Sequence, residues 1–143
     1  AISHPAFLSS IAILKGSMPD GVILQHPPAR KVRCDFPDLA MPTPESEIKL
    51  IETISKTKVI AITLSHEDLD KQEVLKIIED YEFQLRLPTT DVLSSGCQKL
   101  VQALSNQFPK LGHKIKRENF MFLSTEKHKE SDLLEETNEF FPA

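Results

Sequence analysis

Residues 59–64 read Val-Ile-Ala-Ile-Thr-Leu, and this apolar run is the strongest strand signal in the chain. It is rich in β-branched residues, which is typical of a strand covered on both faces. The run Val22-Ile23-Leu24 has the same character and follows the turn residues Pro19-Asp20-Gly21. We therefore predict two buried strands, with residues 59–64 at the centre of the sheet.

A helix is predicted before each of these strands. Ser3-His4-Pro5 resembles a helix start with proline at the first helical position, and Gly16 would end that helix. Thr43-Pro44 resembles a second start, and isoleucines follow it at helical spacing up to about Lys56.

The alternation continues after the central strand. Ser65-His66-Glu67-Asp68 matches a capping box and predicts a third helix, which extends to about Tyr81. Leu85-Arg86-Leu87-Pro88 predicts a short third strand. Ser95-Gly96-Cys97-Gln98 is a second capping box and predicts a helix to about Phe108.

The predicted order is therefore α β α β α β α. Strands joined through helices favour right-handed crossovers, so the predicted fold is α/β, with a mostly parallel sheet and helices on both faces. We assign this domain to residues 1–109. Residues 110–143 are expected to form a weakly ordered tail, in which Phe120–Leu123 predicts an edge strand and Ser131–Phe141 an acidic helix.

Composition excludes several function classes. The 143 residues carry 17 basic and 21 acidic side chains, so the net charge is −4 and does not favour binding to nucleic acid or an anionic membrane. No apolar run approaches the roughly 18 residues of a membrane span. Cys34 and Cys97 lie far apart with no CxxC motif, which favours reduced thiols and a cytoplasmic location. The chain begins at Ala1, as a processed protein or the C-terminal fragment of a longer one would.

In open parallel sheets, ligands bind beyond the carboxyl ends of the strands, where loops and helix N-termini converge. Polar residues follow all three predicted strands, at 25–30, 65–68 and 89–91. The proline-rich connection from Pro27 to Pro44 is also long for a compact domain, and such loops are more often functional. The sequence thus predicts a small-molecule site at this edge of the sheet.

His26 is the candidate for acid–base chemistry at this edge. Arginines hold carboxylates or phosphates bidentately, and an aspartate can orient a cation or an amine. The candidate substrate- or nucleotide-binding residues are Arg30, Arg33, His4, Ser65 and Asp91. Plain structural roles remain open as alternatives, because strand ends are exposed in any case, His66 fits a helix start, and Asp91 fits a turn.

Two common site types have no motif here. A phosphate-binding P-loop requires Gly-x-x-x-x-Gly-Lys-Ser/Thr, which the sequence does not contain, so this chain by itself is not predicted to be an NTPase. His4, His26 and His66 lack the HxH or HxxxH spacing of zinc ligands, and no metal site is predicted.

A series of short motifs covers about 100 of the 143 residues in order. The motifs are His4-Pro5-Ala6, Leu14-Lys15-Gly16, Val22-Ile23-Leu24-Gln25-His26, Arg30, Val59-Ile60-Ala61-Ile62, and Leu87-Pro88 through Asp91 with Leu100-Val101. Together they resemble the C-terminal part of a bacterial and archaeal family long of unknown function, some members of which are D-glutamate N-acetyltransferases. The resemblance implies a P-loop NTPase-like fold, preceded in full-length members by a Rossmann-like domain.

The chain also departs from this family. The family loop resembles His-Glu-Pro-Gly-Arg, so His26 and Arg30 match, while Pro27 replaces the acid and Ala29 the glycine. Ser65 stands where the family often has asparagine. In the family a Gly-Gln-Gly turn directly precedes the segment that matches His4-Pro5-Ala6, and the P-loop lies upstream of that turn. The resemblance therefore implies that this chain is half of a three-layer sandwich. Such a half exposes a sheet edge, and we expect a missing N-terminal half or a homo-oligomer partner to cover it.

The resemblance implies the C-terminal lobe of a small-molecule enzyme, similar to D-glutamate N-acetyltransferase. In that interpretation Arg30 or Arg33 holds an anionic group, and His26 assists acyl or proton transfer. The cofactors implied for the full-length protein are acetyl-CoA or ATP. The alternatives are a non-catalytic nucleotide- or phosphate-binding module and a structural oligomerisation domain.

Overall fold

The computed structural model describes residues 2–6 and 8–111. By its backbone contacts the chain divides into two units, residues 1–103 and residues 104–143. The strand predicted at Phe120–Leu123 and the helix predicted at Ser131–Phe141 lie outside the described residues. The domain boundary at residue 109 stays a prediction.

A parallel sheet organises the first unit. Its strands are β1 (Val22–His26), β4 (Val59–Leu64) and β5 (Thr89–Thr90), in the order β1-β4-β5 and all parallel. The predicted α/β class with a mostly parallel sheet is confirmed, and residues 59–64 form its central strand. The other elements are α1 (Leu8–Ser17), β2 (Val32–Arg33), β3 (Phe36–Ala40), α2 (Pro44–Ser55), α3 (Lys71–Leu85), α4 (Val92–Ser95) and α5 (Gln98–Gln107).

The core forms around β4, because this strand is buried along nearly its whole length. One buried cluster contains Ile2, Leu24, Ile51 and Val59, with side chains of α1 packed against it. A second contains Ile62, Leu64, Val74 and Ile78 and joins the central strand to α3. The sheet is thus held between its connecting helices, as its continuous apolar sequence predicts.

Helix α2 begins and ends where its sequence predicts. Thr43 is the N-cap, and its hydroxyl accepts a hydrogen bond from the Ser46 N–H at 3.3 Å. Pro44 occupies the first helical position, where no N–H is needed. Lys56 ends the helix in the left-handed conformation, with φ of 63°.

Helix α1 begins at Leu8, so the predicted start at Ser3-His4-Pro5 is wrong. Residues 2–4 are instead held by tertiary hydrogen bonds: the Ile2 N–H and the Ser3 hydroxyl donate to Glu47, and His4 contacts the Cys34 carbonyl. These contacts compete with the first helical turn. Gly16 does not end the helix, which extends one residue beyond it.

Helix α3 begins at Lys71, so the predicted capping box at residues 65–68 is also wrong. The capping box lies at Asp70 and Glu73, each of whose side chains accepts from the backbone N–H of the other. Asp68 has φ of 57°, which interrupts any helix that started earlier. Residues 65–70 therefore form a loop at the end of β4.

The third strand is displaced from its predicted position. Helix α3 continues to Leu85 and ends at Arg86, which has φ of 56°. Only after this turn does the chain extend, so β5 is Thr89–Thr90 rather than Leu85-Arg86-Leu87-Pro88.

Two short elements were not predicted. The connection from Pro27 to Pro44 contains an antiparallel hairpin of β2 and β3, which turns at Asp35 with φ of 62°. Helix α4 follows β5, and Ser95 is its last residue rather than the cap of the next helix. Gly96 ends α4 with φ of 75°, a conformation that glycine adopts without strain.

Strand β1 is an edge of the sheet among the described strands. Beside it lies an apolar groove of about 530 Å³, lined in part by Ile13, Leu14 and Ile23. The partner expected to cover this edge stays a prediction. None of the described helices has the length and apolar character that crossing a membrane requires.

Candidate functional site

The C-terminal ends of the parallel strands border a cavity of about 430 Å³. Its lining includes six polar residues, although most of the lining surface is apolar, and it comes from the end of β1, from the loop after β4 and from the turn after β5. The lining residues are Gln25, Thr63, Leu64, Ser65, His66, Glu67, Asp91, Val92 and Leu93. The cavity therefore lies where the rule for parallel sheets places a ligand.

Asp91 is the most deeply buried polar group in this cavity, with 1% of its surface exposed. Its Oδ1 accepts from the Leu93 N–H at 3.1 Å, and its Oδ2 accepts from the Ser94 hydroxyl at 2.6 Å. The same Oδ2 lies 2.8 Å from His66 Nδ1. Burial by itself would raise the pKa of Asp91, but these hydrogen bonds and His66 outweigh burial and lower it. Asp91 is therefore an ionised carboxylate held against an imidazole.

Arg30 and Glu67 form an ion pair at the rim of the cavity. Arg30 Nε lies 3.1 Å from Glu67 Oε2, and Arg30 Nη2 lies 2.7 Å from Oε1, so the contact is bidentate. The guanidinium hydrogen bond holds the pKa of Glu67 below its usual value. The Ser65 hydroxyl also donates to Glu67 Oε1, at 3.2 Å. Glu67 thus occupies the Nε–Nη2 edge of the Arg30 guanidinium, and a carboxylate ligand that took this edge would have to displace Glu67.

His26 lies at the end of β1 but does not line the cavity. It is buried, its Nε2 is 3.1 Å from the Pro42 carbonyl, and its Nδ1 is 3.0 Å from the Tyr81 hydroxyl. Because a carbonyl only accepts, Nε2 carries the proton and Nδ1 accepts from Tyr81. Gln25, its neighbour, lines the cavity instead, as expected because successive strand residues point to opposite faces. In this structure His26 connects the sheet to α3 and to Pro42, which lies two residues before α2.

His4 and Arg33 lie together at the N-terminal segment and the hairpin, outside the cavity. His4 Nε2 is 2.9 Å from the Cys34 carbonyl, and Arg33 Nε donates to the Ala40 carbonyl at 3.2 Å. Arg33 Nη1 also donates to the Ser3 carbonyl. Of the six candidates from the sequence, the structure thus brings Ser65 and Asp91 into the cavity, with Arg30 at its rim.

His66 and Glu67 were not predicted as site residues, because the capping-box pattern at residues 65–68 assigns both to a helix. The sequence contains a second capping-box pattern a few residues later. Asp70 and Glu73 have the same capping-box spacing and lie directly before Val74, the first buried residue of α3. Starting the helix there leaves His66 in the loop after the central strand.

Burial of His26 predicts a dependence of stability on pH. Burial lowers the pKa of His26 below its usual value of 6.5, although the Pro42 hydrogen bond opposes this. Below about pH 6.5 the unfolded chain therefore binds a proton that the folded chain does not, and acidification destabilises the fold. We expect the free energy of unfolding in urea to fall between pH 7.5 and 5.5, by at most about 1.4 kcal/mol per pH unit for this group.

His26→Gln is the matched variant, because glutamine can still donate to Pro42 and accept from Tyr81 but does not titrate. Its unfolding free energy should vary less over this pH range than that of the wild type. Protonation of carboxylates with lowered pKa, such as Asp91 and Glu67, also lowers stability, but only at lower pH, below about pH 4.5. An unchanged slope in His26→Gln would refute the assignment.

Comparison with known proteins identifies the family. Residues 1–101 match the family model "Domain of unknown function (DUF1611_C) P-loop domain". This chain belongs to the DUF1611 family. The predicted resemblance to the family that includes D-glutamate N-acetyltransferases is confirmed.

Two relatives of this DUF1611 domain are informative. A D-glutamate N-acetyltransferase from Tritonibacter scottomollicae is 28% identical over 101 residues, which are 67% of this chain and 30% of that protein. The crystal structure of a DUF1611 family protein from Anabaena variabilis ATCC 29413 superposes with a TM-score of 0.69 at 24% identity, over 74% of this chain and 33% of that one. The chain thus spans about a third of the length of these relatives.

Proposed function

We propose that this DUF1611 domain is the amino-acid-binding lobe of an enzyme that transfers an acyl group to an amine. The observation that carries the proposal is the cavity at the strand ends, which is lined by Asp91, Glu67 and His66, in a chain 28% identical to a D-glutamate N-acetyltransferase. In this proposal the cavity receives an acidic amino acid such as D-glutamate.

The charges at the cavity suit such a ligand. Its described lining contains the carboxylates Glu67 and Asp91 but no lysine or arginine, which favours an ammonium group over a phosphate. The positive charge for the ligand's carboxylates lies at the rim, on Arg30. Both partners of the Arg30–Glu67 pair are about half exposed, so exchange of Glu67 for a ligand carboxylate costs little.

The acyl donor is assigned to a different part of the site. The sequence contains no Gly-x-x-x-x-Gly-Lys-Ser/Thr, so this chain alone does not provide that phosphate-binding loop. Acetyl-CoA is the donor we propose for the enzyme as a whole, and the amino-acid pocket described above does not depend on how it is bound.

Calorimetry tests the proposed ligand, with the polypeptide at its full encoded length. D-glutamate should bind, and Arg30→Ala should weaken binding about 10- to 100-fold, because a charge-assisted bidentate contact contributes about 1.5–3 kcal/mol. The matched control is Lys31→Ala, which removes the neighbouring exposed cation and should leave the affinity unchanged.

Two results would contradict the proposal. The first is absence of D-glutamate binding together with absence of N-acetylated product when acetyl-CoA is added. The second is binding of ATP or inorganic phosphate that Arg30→Ala abolishes while D-glutamate has no effect. That second pattern would identify a nucleotide- or phosphate-binding module without turnover.

A further inference from the structure

We propose that His66 is the general base of this site and that Asp91 orients it. The inference rests on the proposed function, since it assigns the proton transfer within the same cavity. It is independent of how the amino acid's carboxylates are held.

The geometry of the pair determines which ring nitrogen can accept a proton. His66 Nδ1 lies 2.8 Å from Asp91 Oδ2, although the ring N–H is not aligned with this oxygen for a hydrogen bond, so the contact is electrostatic. A carboxylate this close to a ring nitrogen favours the tautomer that is protonated there. In the neutral imidazole Nδ1 therefore carries the proton, and Nε2 keeps an unshared electron pair. The ring places Nε2 on the side away from Asp91. A carboxylate beside one ring nitrogen in this way stabilises the imidazolium that forms when the other nitrogen accepts a proton.

The surroundings of the pair favour catalysis over a purely structural contact. Asp91 is fixed by Ser94 and Leu93 and is almost fully buried, whereas 42% of the His66 side chain is exposed and lines the cavity. Glu67, which also lines the cavity, is paired with Arg30 at the rim. The His66 ring is thus accessible to a ligand in the cavity, while its Nδ1 lies against the buried Asp91 carboxylate. His26, by contrast, is buried with both ring nitrogens hydrogen-bonded.

Acyl transfer from a thioester to an ammonium substrate releases two protons in sequence. The first leaves for bulk water and gives the neutral amine. The amine nitrogen then forms a bond to the thioester carbonyl carbon while His66 Nε2 accepts its second proton. As the carbon–sulfur bond breaks, the imidazolium returns that proton to the departing thiolate, so the products are an amide and a thiol. His66 begins and ends the cycle neutral.

Steady-state kinetics with D-glutamate and acetyl-CoA test the role, using the polypeptide at its full encoded length. His66→Gln should lower kcat about 10²- to 10⁴-fold with a much smaller change in KM, because it removes proton transfer but leaves the pocket. The acidic limb of the wild-type pH–rate profile should disappear in this variant. Asp91→Asn should lower kcat in the same direction, because its amide can favour the wrong tautomer.

Asp68→Asn is the matched control, since it makes the same substitution as Asp91→Asn, at an exposed residue that shares a loop with His66 but lies outside the cavity lining. It should keep the wild-type kcat and pH profile. A merely structural His66 would change stability but would leave the acidic limb in place. That result, in a wild type that acetylates D-glutamate, would overturn the inference and leave the proposed function intact.

A spectroscopic measurement tests the pair without any turnover. The long-range ¹H–¹⁵N spectrum of the His66 imidazole should show a neutral ring protonated at Nδ1, and Asp91→Asn should change that pattern. A ring protonated at Nε2 in the wild type would refute the assignment, whatever the enzyme acylates. If the wild type binds no D-glutamate and forms no product, the proposed function fails and the base role fails with it.

Discussion

Replacing Ile62 with alanine is expected to lower the free energy of unfolding by about 2–5 kcal/mol. Ile62 is fully buried in the central strand and packs in one cluster with Leu64, Val74 and Ile78. Truncation removes three carbon atoms from the core and leaves a cavity, because the strand is held on both sides by β1 and β5 and cannot collapse into the space. Domains of this kind have a total stability of about 5–15 kcal/mol, so the loss is a large fraction.

Urea or thermal unfolding, followed by circular dichroism, measures this effect. The control is Ile13→Ala, which removes the same atoms from α1, where 68% of the residue is exposed. It should change the unfolding free energy by less than about 0.5 kcal/mol. Equal losses in the two variants would mean that β4 is not the centre of the core.

The parts of the fold that the sequence predicts are those with a strong local signal. The continuous apolar run of β4 and the Thr43-Pro44 start of α2 depend on burial and on capping, and both lie where predicted. Errors arise where two local signals compete. Residues 65–68 and 70–73 have the same capping pattern, and only the burial of Val74 and the left-handed Asp68 select the second.

Local sequence signals also predict the candidate site only in part. The strand-end rule predicts the edge of the sheet at which the cavity lies, and Ser65 and Asp91 belong to its lining. The rule does not predict toward which face of the sheet a strand-end side chain points. His26 points to the face opposite Gln25, where it contacts Tyr81 of α3 and the Pro42 carbonyl. The pairing of His66 with Asp91 joins residues 25 positions apart, and only the fold brings them together.

Removing the carboxyl group of Glu47 is expected to destabilise the fold by about 3 kcal/mol and to release the N-terminal residues. Glu47 is 1% exposed on the first turns of α2, where its Oε2 accepts from the Ile2 N–H at 2.7 Å and its Oε1 accepts from the Ser3 hydroxyl. In Glu47→Ala both donors lose their acceptor away from water. The Ser3 carbonyl also accepts from Arg33, so loosening this segment frees the hairpin contact as well.

Two matched variants distinguish the loss of the hydrogen bonds to Glu47 from the loss of a negative charge in general. Glu47→Gln keeps one acceptor oxygen, and the Ser3 hydroxyl can rotate to accept from its amide, so the loss should be nearer about 1 kcal/mol. Glu45→Ala removes an exposed acid from the same turn of α2 and should cost less than about 1 kcal/mol. Hydrogen exchange should show the Ile2 amide unprotected in Glu47→Ala alone. Because Ile2 belongs to the cluster that packs against β1 and β4, a protected Ile2 amide in Glu47→Ala would mean that apolar packing holds this segment without the carboxylate.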